Sequence, residues 1–159
     1  MKRVLGIFAV IAASVVAVIG AAAPAAHAAV NPINASALCG VGYTLAKQEN
    51  VVAFGDPVPA ATFHLMYNPS VDTFCGVTVK SLYLGVPTQT SADLLGVSGI
   101  VISNSGPRLF IAGPVVDRPF SSERGRCVAY GANLTAPDGK SYSHETANAA
   151  IGLSLYCLP

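Results

Sequence analysis

Four cysteines, two histidines and a short arginine-rich stretch are the groups past residue 28 that could do chemistry. Cys39, Cys75, Cys127 and Cys157 stand singly along the chain. A zinc site would want closely paired cysteines, and none are paired. A thiol nucleophile would leave an odd cysteine over, and the count is even. In TFCGVTVKSL, residues 73–82, Cys75 alternates with Val77 and Val79 against Gly76, Thr78 and Lys80. That is the two-residue period of a half-buried strand, and the cysteine side is expected to face inward. An even set of cysteines in an exported chain points to two disulfides. The pairs Cys39–Cys75 and Cys127–Cys157 are favoured because each joins segments near in sequence, although four cysteines allow three connectivities. Each bridge would contribute about 3.5–4 kcal/mol in the chain-entropy model.

His64 falls on the polar side of an alternating stretch, ATFHLMYN, and His144 precedes Glu145 in an expected loop. A hydrolase triad could be composed from His144, Asp117 or Asp138, and a serine. Gly96-Val97-Ser98-Gly99 misses the nucleophile elbow by one position. His144-Glu145-Thr146-Ala147-Asn148 is not the His-Glu-x-x-His of a zinc protease. The acids stand singly, with no pair marking a glycosidase. A plain surface role is therefore expected for both histidines, with no catalytic residue, cofactor or metal. Arg118, Glu123, Arg124 and Arg126 form a candidate binding loop next to Cys127. A loop held by a disulfide is pre-ordered, which lowers the cost of binding; the alternative is a solvated turn of mixed charge. Tyr43, Tyr67, Tyr83, Tyr130, Tyr142 and Tyr156 could stack on sugars, but several alternate with apolar residues, which favours core packing.

The elements that must carry these groups read as short strands and turns. Candidate strands are 39–46, 61–68, 73–82, 94–103, 108–116, 127–134 and 149–158. In the last, Ile151, Leu153, Leu155 and Cys157 share one face. Residues 62–80 read as a hairpin around Asn68-Pro69-Ser70. Gly55-Asp56-Pro57, Asn104-Ser105-Gly106-Pro107 and Pro137-Asp138-Gly139 are turn signals. Pro114 suggests an edge or a bend in 108–116, and 118–126 reads as an exposed loop. Residues 29–38 read as an irregular lead-in. No helical period runs long, so the fold class is all-β: a compact sandwich or barrel of short antiparallel strands with two disulfides.

The amino end supplies the compartment. Lys2 and Arg3 precede an apolar run from Val4 to Ile19, and Ala26-His27-Ala28 is a small-x-small cleavage signal. This is a secretory signal peptide, with cleavage expected after Ala28, rather than a membrane anchor. Residues 29–159 then form a single secreted β domain without an integral membrane span. The leader takes two of the nine Lys and Arg residues with it, leaving seven against eight acidic residues. Such a balance gives no electrostatic case for nucleic acid or an anionic membrane as partner. Charged residues are well below the roughly 25 % usual for globular domains. The exterior must then be built from Ser, Thr, Asn, Gly and apolar groups, a surface suited to adhesion.

The order of CGVGY at 39–43, LMYN at 65–68, CGVTVK at 75–80, AGPV at 112–115 and GRCVAYG at 125–131, with Cys157 near the end, resembles the spore-associated protein A family of small actinobacterial exported proteins. The match spans nearly the whole chain after the leader. Tyr130 and Ala132 stand where that family usually carries tryptophan and glycine, and Leu158-Pro159 follow where it tends to finish on Cys-Gly. The resemblance implies an extracellular, non-enzymatic protein found with the spore or cell surface. Its expected partners are spore or cell-wall surface components. The other reading is a soluble extracellular binding module, a protease inhibitor or a carbohydrate binder.

Overall fold

A computed structural model describes residues 31–144 and 152–158. The expected leader, residues 1–28, lies outside them, as do Glu145 and Ile151. Among the described residues the chain forms one short helix and ten strands. The helix α1 is Ala35–Cys39. The strands are β1 Thr44–Val52, β2 Ala61–Asn68, β3 Thr73–Lys80, β4 Thr88–Leu95, β5 Val101–Arg108, β6 Ile111–Asp117, β7 Phe120–Ser122, β8 Gly125–Thr135, β9 Ser141–His144 and β10 Ser154–Cys157. They make one antiparallel sheet in the order β5-β4-β8-β9-β1-β2-β3-β6, with β7 and β10 also pairing on β8. The two ends of that order, β5 and β6, follow each other in the chain and pack side by side. The sheet is therefore a nearly closed barrel, the all-β form expected from the sequence. Closure leaves few free strand edges, which otherwise invite pairing with other chains.

The interior is filled by side chains. Phe63 and Leu65 of β2, Phe74 of β3, Leu94 of β4, and Val128, Tyr130 and Leu134 of β8 are buried in one cluster. Phe63 and Tyr130 stack at 5.3 Å between ring centroids. Gly76 lies beneath them because a Cβ there would come within 2.9 Å of the Phe63 ring.

The expected hairpin is present: β2 pairs with β3 from Ala61↔Lys80 to Asn68↔Thr73. The direction of its faces is reversed, however. Phe74, Gly76, Thr78 and Lys80 take the inner side of β3. Cys75 and Val77 belong to a second cluster outside, beneath Ala35, Leu38 and Cys39. The helix explains this: it buries the apolar outer face too, so both faces of β3 are buried. Residues 35–39 are helical rather than irregular because Asn34 Oδ1 caps them, accepting from the Ser36 N–H at 3.0 Å. The first strand accordingly starts at Thr44 rather than at Cys39.

Two further boundaries differ. Residues 94–103 are not one strand, since the chain turns between β4 and β5 at 96–100. Asn104-Ser105-Gly106-Pro107, strong turn formers in sequence, lie within β5, where Pro107 opposes Gln89. Because β5 ends the hydrogen-bonded order, one side of it needs no N–H at Pro107. The turn moves instead to Gly96, whose N–H donates to Asp117 Oδ2 at 2.8 Å. A Cβ on Gly96 would sit 2.0 Å from the Arg118 carbonyl oxygen.

Candidate functional site

Both disulfides have the favoured connectivity, Cys39–Cys75 and Cys127–Cys157. Both also lie on the outer wall. Cys39–Cys75 fastens α1 over β3. Cys127 and Cys157 are register partners, so the second bridge fastens β10 to β8. In β10 the face of Leu155 and Cys157 is again the outer one, while Ser154 and Tyr156 turn inward. Leu155 is about half exposed.

The stretch 118–126 is a β7–β8 hairpin rather than a loop, with Phe120 opposite Cys127 and Ser122 opposite Gly125. Arg118, Glu123, Arg124 and Arg126 are all exposed. Arg126 pairs with Asp72 of the β2–β3 turn, whose other oxygen accepts from Tyr67 OH at 2.9 Å. The hairpin is thus held by Cys127–Cys157 on one side and by an ion pair on the other. Asp117, just before it, accepts from the N–H groups of Gly96 and Arg118 and from Ser98 Oγ.

The richest group of polar side chains lies where β1 leaves β9 and faces β10. Tyr130 OH donates to Glu49 Oε1 at 2.7 Å, and Lys47 Nζ stands 3.6 Å from the same oxygen. His144 and Ser154 lie nearby, their Nε2 and Oγ 3.1 Å apart. Lys47, Glu49, Tyr130, Ser154, Leu155 and Tyr156 line a slot of about 260 Å³ here. His144 is the last residue of β9, not a loop residue, and it is buried. Burial holds its imidazole below the usual histidine range. Its Nδ1 accepts from the Ala132 N–H at 3.4 Å. In the neutral ring Nε2 then carries the proton and donates to Ser154, which leaves no lone pair there to take a proton from the serine. Neither Asp117 nor Asp138 reaches His144: the first holds the 96–98 turn, and the second accepts from the Lys140 N–H. The structure does not assemble the triad conceivable from composition. His64 stands apart on β2, partly buried, beside Ile33, Leu45, Gln48 and Met66.

At the opposite end from the β7–β8 hairpin, Lys80 closes the barrel. It is 1 % exposed. Its ammonium donates to the carbonyls of Tyr83 at 2.7 Å, Val86 at 2.8 Å and Arg108 at 3.1 Å. Burial pushes its pKa down to about 8, so it remains charged at neutral pH. Three carbonyls satisfy the three donors of an ammonium. Asn31 adds a clasp, donating to the carbonyls of Lys80 and Phe110. Beside this plug, Tyr83 OH and Tyr142 OH are 3.2 Å apart.

The tyrosines follow the packing expectation in part. Tyr130 and Tyr142 are buried, and Tyr67, Tyr83 and Tyr156 pack against the inner cluster. Glu49, Ser154 and the Lys80 plug were not singled out from sequence. Glu49 and Ser154 are far apart in the chain, and only the long-range pairing of β9 and β10 with β8, and of β1 with β9, brings them together. Lys80 carried one signal, its even-numbered place with Gly76 and Thr78.

Among the described residues no three His, Cys, Asp or Glu residues gather as a metal site, and no helix is long and apolar enough to cross a membrane. Comparison with family models, with curated proteins and with solved structures gave no match.

Proposed function

We propose that this chain is a secreted, non-catalytic protein attached non-covalently to the outside of the cell or spore that makes it. One observation carries the reading: a barrel filled to its axis, cross-linked twice on the outside, with a wall poor in charge. Phe63, Phe74, Tyr130 and Lys80 occupy the space where a barrel of ligand-binding type would hold its cargo. The disulfides suit an oxidising compartment. The resemblance to spore-associated exported proteins points the same way. Contacts made by such a wall would be insensitive to salt, because few charges are available to screen.

The test is fractionation of the producing culture. The protein is expected with washed cells or spores and should stay there in 1 M salt, as an order-of-magnitude choice well past the screening of surface charge. Recovery wholly in the medium at every growth stage would overturn the reading. The exposed hairpin carrying Arg118, Glu123 and Arg124 supports a second reading, a soluble binding module such as a protease inhibitor. Inhibition of a serine protease that is lost in Arg124→Ala would favour it.

A further inference from the structure

Outside the barrel, β5, β4, β8 and β9 lie side by side with their inward alternates, Thr88, Thr90, Ala92, Leu134 and Tyr142, buried. The other residues of these strands therefore point outward. Their register aligns them across the four strands. Ser105 opposes Ser91, Ser91 opposes Asn133, and Asn133 opposes Ser143. One step along, Pro107 opposes Gln89, Gln89 opposes Thr135, and Thr135 opposes Ser141. Neighbouring strands are about 4.8 Å apart and same-face residues about 6.8 Å apart along a strand. Two parallel rows of hydroxyl and amide groups thus cover a patch about 14 Å across, broken only by Pro107.

Neither row contains a charge. The adjoining carboxylate, Asp93, is buried and accepts from Ser91 Oγ at 2.8 Å. Lys140, in the turn beside Ser141, is committed to Asp56 at 2.7 Å. Gln89, Ser105, Ser141 and Ser143 are exposed, and their side chains have no protein partner among the described residues.

We infer that this face docks an uncharged, extended polysaccharide. The inference rests on the surface-attachment reading and names the chemistry of the attachment. Hydroxyls and amides both donate and accept, so they can answer the hydroxyls and acetamides of a neutral glycan. An anionic polymer would find no cation in either row and a carboxylate at the margin. An apolar partner would have to strip water from seven polar groups without replacing their hydrogen bonds. The rows lie on an outward wall rather than in a cleft, which suits an insoluble chain lying along them better than a single sugar.

The experiment is co-sedimentation of the full mature protein with insoluble chitin and cellulose, at low and high salt, with heparin-agarose as the charged matrix. Wild-type protein is expected to leave the supernatant with at least one neutral matrix, equally at both salt levels, and to ignore heparin. Gln89→Glu/Ser105→Glu/Asn133→Glu puts three charges on the rows at outward positions. It is expected to lower the bound fraction at least tenfold, as read from the supernatant. Ser143→Lys serves as the second variant should the triple one not fold, and Val116→Glu on β6 is expected to bind as wild type. Wild-type protein that stays in the supernatant with both neutral matrices overturns the inference. So does undiminished binding by the folded row variants. Fractionating cultures that make the same proteins separates the two ideas. Wild-type recovery at the cell surface without matrix binding sinks the glycan face alone, whereas wild-type protein found wholly in the medium sinks the attachment itself.

Discussion

Lys80 shows how one side chain can hold a barrel end shut and what that costs. Replacing it with methionine keeps the bulk but takes the ammonium from the carbonyls of Val86 and Arg108, and from that of Tyr83, which keeps only the Val86 N–H. Lys80→Met is expected to destabilise by about 2–4 kcal/mol in urea unfolding, the range for stranding buried acceptors. The pH profile distinguishes this from lost packing. Burial holds Lys80 at about 8 against an ordinary 10.5, so between those values the unfolded chain carries a proton that the folded one has released. Stability therefore rises with pH across that window. Tyr83 acts oppositely. Its hydrogen bond to Tyr142 pushes it up to about 12 from 10.0, so above pH 10 the folded chain keeps a proton the unfolded one loses, and stability falls. The wild-type unfolding midpoint should crest near pH 10, and Lys80→Met should lose the rising limb while keeping the fall. On the acid side His144, lowered by burial from 6.5, refuses a proton that the unfolded chain accepts. Stability then drops as pH falls below 6.5. The His144→Asn midpoint should fall less than the wild-type one between neutral pH and pH 5; an equal or larger fall would show that His144 does not set this limb.

At the scale of elements, the turn between β4 and β5 is fixed by contacts, not by its own composition. Gly96 packs against the Arg118 carbonyl, and Asp117 receives both its N–H and Ser98 Oγ. Gly96→Ala must displace backbone, and a loss of about 2–4 kcal/mol is expected by thermal or urea unfolding. Ala at Gly99, where nothing lies within 4 Å of a Cβ, meets only the strain of a positive φ and should cost less. The same turn shows where sequence reading stops. Asn104-Ser105-Gly106-Pro107 had the residues of a turn, and 96–100 had the contacts of one. The β2–β3 hairpin was readable because alternation and a local turn agree there. The inward face of β3 was not, because α1 buries the apolar outer side while the inner side carries Thr78 and Lys80. In β10 Leu155 and Cys157 share a face as expected, and that face is the outer one, with Tyr156 turned inward. The disulfide pairing was readable from nearness in sequence, whereas the Glu49, Tyr130, His144 and Ser154 grouping depends on long-range strand pairing that no local pattern encodes.

For the whole molecule, the bridges and the filled interior do different work. The buried cluster gives the barrel its cooperative core, and the disulfides hold its covering pieces to the outside. Cys127→Ser/Cys157→Ser releases β10 from β8 and is expected to lower stability by about 3–4 kcal/mol. It should also raise hydrogen exchange first in Ser154–Cys157, while β2 and β3 keep their protection; equal loss in both places would mean that the last strand is part of the core unit. The two covalent loops, 39–75 and 127–157, follow one another without crossing. If the chain is exported amino end first, as proposed, its cysteines emerge in the order in which they marry. Cys75 arrives when Cys39 is the only thiol outside, and their bridge can close before Cys127 has emerged. The third thiol then waits alone for the fourth. Under such export correct pairing is written into the timetable of emergence, and native connectivity should be reached with little need of an isomerase to undo mistakes.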